Sequence, residues 1–304
     1  MNFVKTIKKN PLIDYLFNKI NRLTGTILML HRVVEHKSLI EDNSQLEISV
    51  DFLEQTINEY REKGYYFATI DEVFLLQQQP DKNKTPYVCF TFDDGFRDNL
   101  TLALPIFEKF QVPFTVYIAT GFPDHTVFVW WYWLEILITN LDEVKLLSGK
   151  LMTCKQLVEK NAAFMSLKKE IQILSNEDSR IFLNKLFVIN GLDMLEQIPM
   201  LNWDDIRVLS NHPLCTIGSH GINHTSLITL NDQLLRVELT ESKFRLEQET
   251  NSVINHFAYP YGHYNSSIKK AVKKAGYKTA VRIDGGMQRH FQPVYDFKRT
   301  ILKQ

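Results

Sequence analysis

Beyond its first 25 residues, the sequence alternates short runs rich in β-forming residues with segments whose apolar residues recur at helical spacing. Apolar runs occupy residues 26–31, 87–92 and 114–119, and helical segments lie between them at 49–64 and 99–110. Strands that alternate with helices predict βα units and a sheet that is at least partly parallel, because parallel neighbours are usually joined by a helical crossover. The pattern is not that of a β-sandwich or a helical bundle.

The alternation is interrupted once. Residues from about 122 to 202 begin with an aromatic cluster and continue as long helical stretches, which predicts a helical insertion. Beyond it the β-rich runs and helical segments return up to residue 302. We therefore expect an N-terminal amphipathic segment at 1–25 and one α/β domain at 26–304 that carries the insertion.

Charge and cysteine content argue against several classes of protein. The chain has 304 residues, and 35 basic residues balance 35 acidic ones, so no global positive field points to a nucleic-acid partner. Cys89, Cys154 and Cys215 lack CxxC spacing, which argues against both a disulfide framework and a thiolate zinc site. We expect these cysteines to behave as small buried apolar residues.

The first residues interleave lysines with large apolar side chains. This composition is compatible with peripheral contact with an anionic membrane surface, or with an amphipathic helix that packs on the domain; Pro11 interrupts the segment and weakens the first reading. The segment has no continuous apolar stretch followed by a small-residue cleavage site. The expected location is therefore cytoplasmic, with the inner face of the membrane as the specific alternative.

Two adjacent acids, Asp93 and Asp94, follow directly after the buried run at 87–92. Carboxylates at this depth are costly unless a cation or hydrogen-bond donors compensate them. Successive side chains of an extended chain point in opposite directions, so a sharp turn at Gly95 is needed to direct both acids into one site. The alternative interpretation is an N-cap pair for the following helix.

Two further β-rich runs are followed by residues that could bind a metal ion or contact a substrate. His220 and His224 are four residues apart, and in a helical turn this spacing places both imidazoles on one side. Two histidines and one carboxylate form a common zinc site with an open position. Residues Tyr259, Pro260, Tyr261 and Gly262 form an aromatic turn that can present a backbone N–H to an oxyanion and rings to a sugar, although each segment alone is weak evidence.

In this order, the three segments resemble the motifs of the polysaccharide deacetylase family, also known as carbohydrate esterase family four or the NodB homology domain. Residues 90–95 resemble its first motif, 219–224 its second and 257–262 its third. The resemblance covers roughly residues 26–121 and 203–302. It implies a distorted, incomplete (β/α)7 barrel whose active site lies at the carboxyl ends of the strands.

The resemblance also implies roles for single residues. Asp93 would be the general base, and Asp94, His220 and His224 would bind one divalent metal ion. The backbone N–H of Tyr261 would contribute to an oxyanion hole. Imidazole and carboxylate ligands suit zinc, cobalt and nickel, and zinc is the expected ion.

The chain departs from the family pattern at several points. Gly221 stands where Ser or Thr is common, and the late Leu-x-His motif that supplies the acid is not evident. The Met-x-His context of His31 resembles the poly-N-acetylglucosamine deacetylase branch, which implies that His31 is the general acid; His263 and His290 are weaker candidates. Arg299 is expected to orient Asp93, and Asp296 to hold Arg299.

The expected substrate is an N-acetylated amino sugar of a surface polysaccharide or of its lipid-linked precursor. Two alternatives remain: hydrolysis of a small cyclic amide, and a non-catalytic module that binds glycans on the same fold. The aromatic run at 128–133 is expected to anchor the insertion in the core, with stacking on a sugar ring as the alternative.

Overall fold

The computed structural model describes residues 23–79, 85–194, 200–289 and 291–304. Most of the N-terminal amphipathic segment and His290 lie outside these ranges, so their predicted roles are not addressed by the structure. Within the described ranges, no helix has both the length and the apolar character needed to cross a bilayer.

The first half of the fold contains the βα units that the sequence predicts. In chain order its elements are β1 (Leu23–Leu30), β2 (Arg32–Val34), α1 (Glu41–Ser44), β3 (Glu47–Ser49), α2 (Val50–Glu62), β4 (Tyr66–Phe67), α3 (Ile70–Gln78), β5 (Tyr87–Phe92), a π-helical turn (Asn99–Ala103) that continues as α4 (Leu104–Phe110), and β6 (Phe114–Ile118). The Ser49 side chain caps α2 by accepting a hydrogen bond from the Phe52 N–H, and Gly64 follows the helix at φ 72°. Both boundaries of this helix are as predicted.

The insertion is largely helical, but it also contains a short hairpin that the sequence did not predict. Its elements are α5 (Trp130–Thr139), β7 (Glu143–Lys145), β8 (Leu151–Thr153), α6 (Leu157–Ile171) and α7 (Asn176–Ile189). The three helices bury their own apolar cluster, which includes Leu137, Phe164 and Phe187. The insertion therefore has a small core of its own beside the main one.

The second half returns to alternating strands and helices. Its elements are α8 (Trp203–Ser210), β9 (Cys215–Ser219), a 3₁₀ turn (Leu227–Thr229), α9 (Asp232–Thr250), β10 (His256–Ala258), a 3₁₀ turn (Pro260–Gly262), α10 (Ser266–Lys274), β11 (Thr279–Arg282), β12 (Gln288–Arg289), β13 (Phe297–Lys298) and β14 (Thr300–Ile301).

The main strands form a ring of parallel neighbours. The order is β1–β5–β6–β9–β10–β11–β13, and β14 pairs back onto β1 in parallel. The last β-rich run is divided at Arg299, where the chain changes partner from β11 to β1. The nearly closed ring confirms the distorted (β/α)7 barrel.

Aromatic packing holds the helices against the barrel. Every residue of β5 is buried, and the rings of Phe107 and Phe114 stack with centroids 4.5 Å apart between α4 and the sheet. Because the main strands are parallel, their carboxyl ends meet at one rim. His31, Asp93, His220 and Tyr259 are the residues that directly follow β1, β5, β9 and β10 at this rim.

Candidate metal centre and active site

The two adjacent aspartates lie in a tight turn at the end of β5. The Gly95 N–H donates to the Asp93 carbonyl at 3.0 Å, and Asp94 adopts φ 74° at the centre of this turn. A left-handed conformation at a non-glycine residue is costly and is typically found at functional sites. The turn directs both buried carboxylates toward the rim, as the sequence argument required of Gly95.

Asp94, His220 and His224 converge on one point. The Asp94 Oδ1 atom lies 3.1 Å from His224 Nε2 and 3.6 Å from His220 Nε2, and the three ligand atoms lie within 4.8 Å of one another. Asp94 Oδ1 is buried and accepts no hydrogen bond within the described part of the chain. Two imidazole nitrogens around an unsatisfied carboxylate oxygen fit a divalent cation.

The electrostatics of Asp94 and His220 suit a bound cation, whereas the charge of Asp94 raises the pKa of His224 against the effect of burial. Burial would raise the pKa of Asp94, but His224, His31 and His220 together hold that pKa well below its usual value. Burial lowers the pKa of His220 to about 4, so this ring is neutral at physiological pH. Its Nδ1–H donates to the Ala258 carbonyl at 2.8 Å, which leaves the Nε2 lone pair directed at the site.

The turn that carries His224 is not helical, contrary to the expectation from the four-residue spacing. Residues 220–226 form a bend, and His224 adopts φ 47°. The buried Glu238 of α9 fixes this bend, because its carboxylate accepts from the Ile222 N–H at 2.7 Å and from the Asn223 side chain. Glu238 also explains Gly221: a Cβ there would lie 2.9 Å from the Glu238 carboxylate.

We expect the Glu238→Met variant to bind the metal about 10- to 100-fold more weakly than the wild type, because residues that orient metal ligands typically contribute that much. The measurement is competition with a metal chelator. Glu241→Met, an exposed change on the same helix, is the matched control and should leave affinity unchanged. Equal affinity in wild type and Glu238→Met would show that the bend does not need this carboxylate.

Asp93 does not join the three ligands but pairs with Arg299. The two guanidinium nitrogens Nη1 and Nη2 each lie 2.6 Å from a carboxylate oxygen of Asp93, and both residues are buried. Burial alone would raise the pKa of Asp93, but Arg299, His220 and His31 together outweigh burial and hold that pKa below its usual value. Asp93 is therefore an anion held in a fixed orientation beside the metal-binding cluster.

The expectation that Asp296 holds Arg299 was wrong. Asp296 instead forms an ion pair with Arg282, whose Nε lies 2.8 Å from its Oδ1. The Arg299 guanidinium also donates to the Thr91 hydroxyl and the Arg282 carbonyl. These partners come from β5 and β11, so the barrel itself orients the arginine.

His31 follows β1 and lies close enough for its charge to lower the pKa of both Asp93 and Asp94. Hydrogen bonds with Asn99 and Asp98, which the sequence did not predict, hold the backbone around His31 in place. The Asn99 side chain donates to the His31 carbonyl at 2.9 Å, and Asp98 accepts from the Val33 N–H at 3.2 Å and from Arg32 Nε at 2.7 Å. The only sequence signal was two polar residues at the start of a helical segment, where a cap is the simpler interpretation.

The aromatic turn after β10 carries Tyr261, whose backbone N–H was predicted to contribute to an oxyanion hole. Tyr261 adopts φ 56°, and within the described residues its N–H donates to no backbone carbonyl. The ring of Tyr261 is half exposed, with its centroid 4.8 Å from that of His224. The backbone of this residue is therefore available to a ligand at the cluster.

A ring of Tyr259 that stacks on a sugar is excluded by the structure. This side chain is fully buried, stacks on Tyr264 at 5.1 Å and donates its hydroxyl to the Tyr295 carbonyl. Pro260 and Gly262 are buried as well. The turn leaves only the Tyr261 ring open to a substrate because the others anchor it to the barrel.

The aromatic run at 128–133 has two environments. Trp133 packs in the insertion core against Phe187 with ring centroids 5.8 Å apart, which agrees with an anchoring role. Trp131 lies at the boundary of the metal cluster, 6.0 Å from the His224 ring.

His263, one of the weaker candidates for the general acid, forms a hydrogen bond with the Ser226 hydroxyl at 2.8 Å.

Comparison with known proteins agrees with this geometry. The family model for polysaccharide deacetylase matches residues 81–280, which is more than half of the chain. The chain belongs to the polysaccharide deacetylase family. It is also 21% identical over 274 residues to YxkH of Bacillus subtilis (strain 168), a predicted polysaccharide deacetylase; the match covers 90% of this chain and 70% of that protein.

Two solved structures share the fold of this polysaccharide deacetylase. The deacetylase PplD of Streptococcus pyogenes, in complex with acetate, superposes with a TM-score of 0.64 at 17% identity, and the match covers 93% of each chain. IcaB from Ammonifex degensii superposes with a TM-score of 0.62 at 16% identity, again over 93% of each chain. At these identities the likeness concerns the fold.

Proposed function

We propose that this polysaccharide deacetylase removes N-acetyl groups from amino sugars of a surface polysaccharide or of its lipid-linked precursor, and that it requires one divalent cation. The observation that carries the proposal is the buried cluster of Asp94, His220 and His224 beside an arginine-paired Asp93. The acetate in the PplD complex is the product expected of such a reaction and supports this assignment. The proposal includes action at the inner face of the membrane.

Asp94 and the two imidazoles would hold the cation, with zinc expected and cobalt or nickel also suited to these donors. A cation bound there supplies Lewis acidity toward the amide carbonyl and lowers the pKa of water. Asp93 is positioned to take the proton of the attacking water, because Arg299 keeps it anionic. In this proposal the Tyr261 N–H would donate to the developing oxyanion, and His31 would return a proton to the leaving amine.

Release of acetate tests the proposal directly. The protein is supplied with zinc, cobalt or nickel and incubated separately with N-acetylated oligosaccharides, lipid-linked N-acetylated sugars and small cyclic amides. We expect acetate from at least one N-acetylated sugar and loss of activity after chelation. Ring opening of cyclic amides without acetate release would assign a different carbon–nitrogen bond, and sugar binding without any turnover would identify a glycan-binding module.

We expect the His31→Gln variant to retain its metal and to lose about 10²- to 10⁴-fold in kcat, the usual contribution of a general acid. The matched control is His263→Gln, which removes the other described candidate and should leave kcat within about twofold. If His263→Gln carries the loss and His31→Gln does not, the proton donor is assigned wrongly.

A further inference from the structure

The insertion exposes large apolar side chains on two segments that lie side by side, the β7–β8 hairpin with its flanks (144–155) and the second half of α7 with its end (179–192). We call these segments the insertion face. On it, Leu151 is 58% exposed and Val188 is 63% exposed. Its other exposed apolar residues are Leu147, Ile181 and Ile189. Single exposed apolar residues are ordinary, but a cluster of this kind marks an interaction surface.

The insertion face is also basic. Its two segments carry five basic side chains and no acidic one, although basic and acidic residues are equal in number over the whole chain. All five basic residues are exposed: Lys145, Lys150, Lys155, Arg180 and Lys185. Acidic residues begin only at its borders, with Glu143, Asp178 and Asp193. The charge is therefore local and set among the apolar side chains.

The two segments are joined rigidly. The Asn190 side chain accepts from the Lys145 N–H at 2.8 Å and donates to the Lys145 carbonyl at 2.9 Å. Beneath them, Val144, Leu186 and Phe187 are buried in the insertion core. These contacts hold the hairpin beside the C-terminal end of α7.

We propose that the insertion face docks on an anionic lipid surface. Leucine, isoleucine and valine side chains next to lysines are suited to the boundary between acyl chains and negatively charged headgroups. A soluble polyanion would engage the lysines but would leave the apolar side chains in water. An apolar protein partner would not require an uninterrupted positive charge.

This surface is continuous with the active-site region. Arg180, Ile181 and Phe122 all line one cavity of about 810 Å³. The ring of Phe122 lies 6.0 Å from that of His224. A substrate anchored in the bilayer would thus meet the metal cluster from the side of the insertion. Docking itself stands on the surface chemistry and does not depend on the proposed function.

Vesicle co-sedimentation of the full chain tests docking. The probes are phosphatidylcholine vesicles with and without phosphatidylglycerol, at low and high salt. The first variant replaces Lys145, Lys150 and Lys155 with Gln, and the second replaces Leu147, Leu151 and Val188 with Ser. We expect binding to anionic vesicles to fall by about 10- to 100-fold in each. In the first variant, each lysine near an anionic surface contributes roughly fivefold. In the second, the apolar area that can be buried among acyl chains is lost. Binding of the wild type should weaken with salt.

Matched controls make equal changes elsewhere. One replaces Lys270, Lys273 and Lys274 of α10 with Gln, and the other replaces the exposed Leu75, Val208 and Val253 with Ser. Both should bind vesicles like the wild type, and circular dichroism verifies that all four proteins fold.

Three results would overturn the proposal: a wild type that ignores anionic vesicles, insertion-face variants that bind as well as the wild type, or a dimer that these variants convert to a monomer. Vesicle binding needs no turnover, so its outcome is separate from acetate release from a water-soluble oligosaccharide, which tests the proposed function.

Discussion

The Asp93→Asn variant is expected to lose about 10²- to 10⁴-fold in kcat while it keeps a full complement of metal, because a general base typically contributes that much. Asparagine has nearly the same size as aspartate but cannot take a proton from water at neutral pH. Asp93 contacts Arg299 rather than the metal-binding cluster, so its replacement should not remove the ion. Steady-state kinetics and metal analysis on the same preparation make the comparison.

The matched control for this change is Asp296→Asn. Asp296 is also an acid paired with an arginine of the barrel, but its partner is Arg282 and it does not contact the metal cluster. We expect kcat within about twofold of the wild type, since this pair contacts neither Asp93 nor the three metal-binding side chains. Unchanged turnover in Asp93→Asn would remove Asp93 from the mechanism.

The Arg299→Met variant is expected to lose about 3 to 5 kcal/mol of unfolding free energy, because it leaves a buried carboxylate without its partner. In the wild type the pKa of Asp93 is depressed, so the pair stabilises the fold above the unfolded pKa of about 3.9 and this stability is lost as the pH falls through the lower folded value. Without Arg299, burial should dominate and raise the pKa of Asp93. The acidic limb of kcat should move to higher pH.

Two further variants separate orientation from charge and from general loss of stability. Arg299→Lys keeps a cation but cannot form both hydrogen bonds, so we expect a smaller shift of the acidic limb and a reduced kcat. Arg282→Met removes another largely buried arginine with an acidic partner, and it should cost stability without moving the acidic limb. An unshifted limb in Arg299→Met, measured on folded protein, would contradict the role of Arg299.

The main features of the site could be predicted because parallel strands bring their carboxyl ends together. His31, Asp93 and His220 are distant in sequence, yet each follows an apolar run that forms a strand of the ring. The order of the motifs and the strand pattern therefore both predicted that these residues lie at one rim of the barrel. The family resemblance added the pairing of Arg299 with Asp93, which no local pattern indicates.

The features that escaped prediction depend on contacts between elements. Glu238 supports His224 from α9, and the only sequence sign of this was a glutamate within the apolar stripe of that helix. Asp98 reaches back to the segment after β1, which helical spacing alone cannot show. The β7–β8 hairpin was missed because each strand has only three residues, too few for a periodicity to be recognised.

The prediction that His220 and His224 lie on one helical turn was wrong for a related reason. A four-residue spacing places two imidazoles together in a helix, but a bend with a left-handed residue at His224 brings them together as well. The spacing predicted the convergence of the side chains and not the backbone that achieves it. In the same way, no local pattern distinguished Tyr259 from Tyr261, because the Tyr259 ring is buried in a stacking contact with Tyr264.

The central claim is that Asp94, His220 and His224 bind a single divalent cation while Asp93 remains free of it. Elemental analysis after dialysis against zinc tests it most directly, applied to the wild type, to Asp93→Asn and to the variants Asp94→Ala, His220→Ala and His224→Ala. The account predicts about one equivalent of metal in the wild type and in Asp93→Asn, and a large loss in each of the other three. Full metal content in the three ligand variants, or loss of the metal in Asp93→Asn alone, would contradict it.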